Sequence, residues 1–193
     1  MKRNVAILIF DEVEVLDFAG PFEVFGVADA LHGNDRFNVF TFAESPGTVR
    51  ARNGLKVVPT FTLENCPAPH VLVVPGGFGT RALLQKPALL EWLRTKSRTT
   101  EITMSVCTGS LLLAKAGLLH GLRATTHHGS FELLRSLAPQ TEVLEDARFV
   151  DNGHILTAAG ISAGIDCSLH VVERLLGAEA ATATARHMEY RRP

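Results

Sequence analysis

The sequence has no surplus of charge of either sign: 19 Lys and Arg stand against 20 Asp and Glu, a net charge of -1. A nucleic-acid-binding domain ordinarily carries a basic excess to neutralise phosphates, so no nucleic-acid partner is expected. Cysteine is scarce. Cys66, Cys107 and Cys167 are odd in number and far apart, with no C-x-x-C spacing, which suggests neither a metal site nor a redox dithiol. Free thiols without a secretion signal suit a reducing, cytoplasmic setting. Long apolar runs are missing too. The mid-chain stretch 102–114 is bounded by Glu101 and Lys115 and falls short of the roughly 20 residues that cross a bilayer. The short apolar run 5–10 is followed at once by Asp11, Glu12 and Glu14, where a signal peptide would continue apolar to a small-residue cleavage site. A soluble protein without a membrane segment is the expectation.

What the chain does have is buried strands alternating with helices. Residues 5–10 and 71–74 are continuously apolar, as strands covered on both faces of a parallel sheet must be. Residues 37–42 and 102–106 read as further strands, and 123–126, 142–144, 148–150 and 154–157 as shorter ones. Helical spacing starts near Pro21, a residue suited to a first helical turn, and recurs over 88–97, 110–117, 130–137, 163–176 and 178–188. Asn53-Gly54 between two β-prone pieces predicts a hairpin turn. No repeat, linker or low-complexity tract interrupts residues 1–193. The pattern predicts a single α/β domain, a doubly wound, mostly parallel sheet with helices on both faces.

In such folds ligands sit at the carboxyl ends of the strands. Three exits stand out there: the segment up to Asp17, Gly76-Gly77, and Cys107-Thr108-Gly109. Cys107 ends a buried strand, and Gly109 permits a tight turn into the next helix, the logic of a nucleophile elbow. Free N–H groups at that helix start favour thiolate over thiol and should lower the cysteine pKa. Equally, a free cysteine can be a small buried hydrophobe. Cys66 and Cys167 lack such context and read as structural. Gly76 and Gly77 leave their N–H groups unobstructed, as an oxyanion site or as a sharp loop. Asp17 reads as a helix N-cap or, beside a thiolate, as a general acid/base whose pKa burial raises. His127 and His128 follow a short strand and could line a pocket. Ser162 reads as a cap for the helix that follows, with Asp166 in its first turn complementing the dipole; residues 160–166 read as structural, though a helix starting there could also wall a ligand pocket.

Together these pieces resemble the DJ-1/PfpI superfamily. The resemblance is carried by Leu16-Asp17-Phe18-Ala19-Gly20-Pro21, Pro75-Gly76-Gly77 and Val106-Cys107-Thr108-Gly109. Ala124-Thr125-Thr126-His127 and Ala159-Gly160-Ile161-Ser162-Ala163-Gly164-Ile165-Asp166 are similar to the isocyanide hydratase branch and to the amino-terminal sensor domain of AraC-type regulators. The resemblance implies a flavodoxin-like sandwich and a homodimer. It implies Cys107 as nucleophile, Asp17 as its carboxyl partner, and Thr108 with hydroxyl and backbone facing the site. The N–H groups of Gly76 and Gly77 would border the same pocket. The implied reaction is hydration of an isocyanide to an N-substituted formamide through a covalent thioimidate, on a small-molecule substrate and with no metal or organic cofactor.

Two details narrow this. Protease-like members place His directly after the cysteine, where this chain has Thr108, and glyoxalase-type members use Glu where this chain has Asp17. One detail departs: the hydratase and regulator pattern has Trp where His128 stands, so a pocket lined by His128 would differ in size or polarity. A regulator would need about 100 further residues for its helix-turn-helix pair, so no such domain is expected. The alternatives to hydration are a non-enzymatic small-molecule or cysteine redox sensor of the same fold, and a glyoxalase-like activity on reactive carbonyls.

Overall fold

The computed structural model describes residues 2–192. In chain order the elements are β1 (Arg3–Leu8), α1 (Val15–Leu31), β2 (Phe37–Ala43), β3 (Val49–Arg50), β4 (Lys56–Val57), β5 (Phe61–Thr62) and β6 (Val71–Val74). Next come α2 (Thr80–Leu83), α3 (Pro87–Ser97), β7 (Ile102–Val106), α4 (Gly109–Lys115), β8 (Arg123–Ala124) and α5 (Phe131–Leu137). The chain closes with β9 (Glu142–Val143), β10 (Phe149–Asp151), β11 (Ile155–Ala158), α6 (Ala163–Leu176) and α7 (Ala178–His187).

The central sheet has seven strands in the order β10-β11-β7-β6-β1-β2-β5. Every pairing in it is parallel except β10 with β11. Its five main strands, in chain order, run 2-1-3-4-5 across the sheet, the doubly wound flavodoxin-like arrangement. The apolar runs explain the centre: β6 and β7 are buried along their whole length, as is β1 from Val5 onward. The two outermost strands are the shortest, β5 with two residues and β10 with three. Helices α1, α6 and α7 pack on one another, and α2, α3 and α5 pack on α4. Such crossovers put apolar helix faces on both sides of a parallel sheet.

The chain leaves β1 towards β2 and returns to β6 on the other side. The switch point therefore lies between β1 and β6, where a crevice opens at the strand ends. The loops after β1, β6 and β7 meet there.

Three local expectations change. Pro21 lies inside α1, not in its first turn, because the helix already starts at Val15. Asp17 is accordingly a first-turn residue, and the cap position belongs to Glu14. Ser162 makes no capping hydrogen bond to α6; its hydroxyl is engaged elsewhere. The Asn53-Gly54 turn does close an antiparallel pair, β3 with β4, through a short 3-10 segment in which Asn53 has a φ of 59°.

Candidate active site

Cys107 follows β7 with a φ of 55°, a left-handed backbone that a residue with a Cβ adopts only when its surroundings impose it. Those surroundings are visible. Its N–H donates to the carbonyls of Ala158 (3.1 Å) and Ala159 (2.9 Å), and its carbonyl accepts from the Thr126 hydroxyl at 2.9 Å. The left-handed residue is thus Cys107 itself, whereas Gly109 serves close approach. A Cβ on Gly109 would stand 1.9 Å from the Val74 carbonyl oxygen. The elbow is wedged against the end of β6, and the thiol is presented with only 5% of the residue exposed.

Asp17 reaches the same place from α1 and is fully buried. Its Oδ2 accepts the Gly76 N–H at 3.0 Å, while Oδ1 is buried without a hydrogen-bond partner. Burial, above all, pushes its carboxyl up to about 7; the Gly76 N–H and the Cys107 thiol oppose that rise, and the charge of Glu14 adds to it. The Cys107 thiol is also pushed up, to about 12, first by burial and then by the negative charge of Asp17. The N–H groups of Thr108 and Ile161 act on the sulfur in the opposite sense. The thiol of lowered pKa read from the elbow is therefore not what the structure holds, because α4 is short and desolvation dominates. Carboxyl and thiol are two acids in one dry corner: the protonated thiol favours the carboxylate, and the carboxylate's charge resists a thiolate. As a pair they release a first proton near neutrality and keep the second well above it.

Thr108, Gly76 and Gly77 take places different from those expected. The Thr108 hydroxyl accepts the Gly77 N–H at 2.9 Å and lies within 3.2 Å of both the Gly77 carbonyl and the Thr80 hydroxyl. It laces the loop after β6 to the elbow and is not free to face a substrate. Since the Gly76 N–H goes to Asp17 and the Gly77 N–H to Thr108, neither is a vacant oxyanion donor, and Gly76 does not line the cleft. Gly77 does, with a φ of 130°, and a Cβ there would meet the Glu12 carbonyl oxygen at 2.4 Å.

The thiol opens on a cleft of about 270 Å³ whose inner wall includes Cys107, Thr108, Gly77, His127 and Ile161. His127 Nδ1 accepts the Gly129 N–H at 3.1 Å, which leaves the proton of the neutral ring on Nε2. Burial and the charges of His128 and Arg81 hold the His127 pKa below its ordinary value, so the ring is neutral at physiological pH. His128 does not line the cleft. It is exposed and stacks on His127, ring centroids 4.1 Å apart.

Sequence reasoning missed the mouth of the cleft, formed by Glu14, Arg52, Phe78 and Arg81. The guanidinium carbons of Arg52 and Arg81 lie 4.9 and 5.4 Å from the centroid of the Phe78 ring. Arg52 also pairs with Glu12 at 2.8 Å. Arg81 comes from α2, a short helix that no periodicity announced. Ile161, from the segment read as structural or as a pocket wall, does line the cleft, with a φ of 48° that a β-branched residue rarely adopts. A larger cleft, of about 430 Å³, lies beside the ends of β1 and β2 and carries the Glu44–Lys86 ion pair. It is lined by neither the Cys107 thiol nor any histidine. Among the described residues, no group of three or more His, Cys, Asp or Glu is placed to hold a metal ion, and no helix is long and apolar enough to cross a membrane.

A flavodoxin-like sheet with a strained cysteine elbow and a buried carboxyl at its switch point agrees with the family comparison: the DJ-1/PfpI family model matches residues 3–174. The chain belongs to the DJ-1/PfpI family. It is 35% identical over 190 residues to an isonitrile hydratase of Pseudomonas putida, covering 98% of this chain and 79% of that one. It is 31% identical over 181 residues to the HTH-type transcriptional regulator CdhR of Pseudomonas aeruginosa, covering 94% of this chain and 53% of that one. The chain thus spans about half of the regulator's length. Among solved structures, a ThiJ/PfpI family protein from Pseudomonas syringae superposes with a TM-score of 0.89 at 30% identity, over 100% of this chain and 77% of that one.

Proposed function

We propose that the chain is a cysteine-dependent hydratase that converts an isocyanide into an N-substituted formamide. The observation that carries this reading is the fully buried Asp17 carboxyl set in the corner of Cys107, whose thiol lines a small cleft. The 35% identity to an isonitrile hydratase supports it.

In the reactive tautomer the proton sits on Asp17 and the sulfur is a thiolate, held by the Thr108 and Ile161 N–H groups. The thiolate attacks the terminal isocyanide carbon, and Asp17 delivers its proton to that carbon, giving an S-linked thioimidate. The Asp17 carboxylate then takes a proton from an attacking water and passes it to the nitrogen. The tetrahedral adduct returns its hydroxyl proton to Asp17 as the C–S bond breaks. Formamide leaves, the pair is as it began, and the net change is addition of one water. The neutral ring of His127 lines the cleft with its Nε2 proton, a donor suited to orienting the substrate nitrogen. A second copy of the chain is the expected partner, and Leu16 and Phe22 are large apolar side chains left exposed on α1.

The test is formamide production from a panel of alkyl and aryl isocyanides. Turnover by the wild type that vanishes in Cys107→Ala and persists in Cys66→Ser is the expected result. Cys66 is remote from the cleft, and burial pushes its thiol up to about 11. No formamide from any isocyanide would sink the reading. The similarity to CdhR supports a second reading, a ligand sensor without turnover; it predicts saturable isocyanide or formamide binding that Cys107→Ala retains. The pair also predicts a pH profile. Below about pH 7 it carries two protons and no thiolate, so alkylation of Cys107 by iodoacetamide should rise through an inflection near pH 7. An ordinary cysteine would inflect near 8.5, and a monotonic rise through that higher range would contradict the shared proton.

A further inference from the structure

Ile161 lines the cleft together with Cys107, and its N–H, with that of Thr108, favours charge on the sulfur against the effect of burial. A φ of 48° at a β-branched residue must be held by something outside the residue. The surroundings supply a holder. Asp166, one turn into α6 and 5% exposed, is a buried carboxylate that must be partnered. Arg148 donates to it through Nε at 2.6 Å, and the Tyr190 hydroxyl donates at 2.8 Å. The same guanidinium reaches on to the Ser162 hydroxyl at 3.0 Å. Arg148 also acts through its backbone, its carbonyl accepting the Ala159 N–H at 3.0 Å. The carbonyl of Ala159 in turn accepts the Cys107 N–H at 2.9 Å. Arg148 therefore grips residues 159–162 at both ends, with Ile161 between the grips.

We propose that Arg148, locked by Asp166 and Tyr190, is a positioning residue for the nucleophile: it holds the turn that keeps the Ile161 N–H against Cys107, and so sets how readily that sulfur carries charge. The inference rests on Cys107 being the reactive group, but it concerns the acidity of the thiol and is judged whether or not isocyanides turn over. A guanidinium is suited to the task because its planar fork serves two acceptors at once. A lysine could keep the ion pair with Asp166 but would not also reach Ser162. The competing view is that the cluster merely fastens the start of α6 and the C-terminal segment. That view predicts a lower melting temperature for variants and an unchanged Cys107.

The experiment follows the pH dependence of Cys107 alkylation by iodoacetamide, read by peptide mass spectrometry, together with thiolate ultraviolet absorbance. The samples are the full-length wild type, Arg148→Ala, Arg148→Lys and Ser162→Ala. Loss of one N–H donor to the sulfur should move the inflection of Arg148→Ala upward by about one pH unit and slow alkylation at pH 7 about fivefold. Arg148→Lys should recover part of the rate. Ser162→Ala keeps the Arg148–Asp166 ion pair, so it isolates the grip on the turn even if Arg148→Ala fails to fold; a shift of the same sign and about half the size is expected there. An alkylation profile that coincides with the wild type in Ser162→Ala, and in every folded Arg148 variant, overturns the proposal. Failure of the hydratase reading would show separately, as absence of formamide from the wild type.

Discussion

At pH 8, Asp17→Asn is expected to melt on the order of 10 °C above the wild type while hydrating isocyanide about 1,000-fold more slowly. The two effects have one cause. Asp17 is fully buried, and its carboxyl is raised from an ordinary 3.8 to about 7. A carboxyl whose pKa is higher in the folded chain than in the unfolded one binds protons more tightly when folded. Its contribution to stability is therefore intact below pH 4, declines as pH rises through the window from 4 to 7, and is fully lost above it. The loss amounts to about 4 kcal/mol at pH 8. Asparagine removes the ionisation, keeps an oxygen for the Gly76 N–H, and removes the group proposed to shuttle the proton. Differential scanning calorimetry at pH 4 and pH 8 checks the sign: the advantage of the variant should be large at pH 8 and close to zero at pH 4. A variant that melts below the wild type at pH 8 would show that the carboxylate stabilises the fold. The opposition is a general one, since a site poised for chemistry is often a strained or unfavourable one for folding.

Gly109→Ala should leave little folded protein, with a loss of about 4 kcal/mol or more of stability. The added Cβ would stand 1.9 Å from the Val74 carbonyl oxygen and 2.8 Å from that of Pro75. Both are backbone atoms at the end of a central strand, so no side chain can rotate out of the way. Relief would require separating β7 from β6, the pair on which both the elbow and the loop after β6 depend. The control is Gly117→Ala, at the far end of α4, where no atom lies within 4 Å of the added Cβ and only the φ of 77° is unfavourable. Its loss should be about 1 kcal/mol, measured for both variants by urea denaturation. Equal losses would mean that the packing of elbow against strand is looser than these distances imply.

These two positions also show what a sequence discloses and what it withholds. Residues 102–106 and 163–176 coincide with β7 and α6, because a continuous apolar run and a clean amphipathic period leave no competing arrangement. Cys107 was legible as the end of such a strand, and Asp17 as a carboxyl at the mouth of the first crossover. Their ionisation was not. The short helix after Cys107 suggested a more acidic thiol, whereas burial and a neighbouring carboxyl, both tertiary facts, decide the direction. Pro21 pointed to a helix start, yet α1 begins at Val15 and simply tolerates the missing N–H. The hydroxyl of Thr108 was read as facing substrate, but the loop after β6 claims it. Arg148 was invisible as part of the site because its role joins a sheet edge, a helix start and Tyr190, places far apart along the chain.

The central sheet also bears on how the chain behaves in a crowded solution. Its outermost strands, β5 and β10, are only two and three residues long, and β10 runs opposite to its neighbour. An incoming chain seeking to extend the sheet would find a ledge too brief to register on, and at one border a reversed polarity. Short borders of this kind are a recognised guard against edge-to-edge fibril growth. Concentrated native protein should accordingly remain free of amyloid-type dye response, with any loss from solution proceeding through unfolded chains rather than through stacking of intact ones.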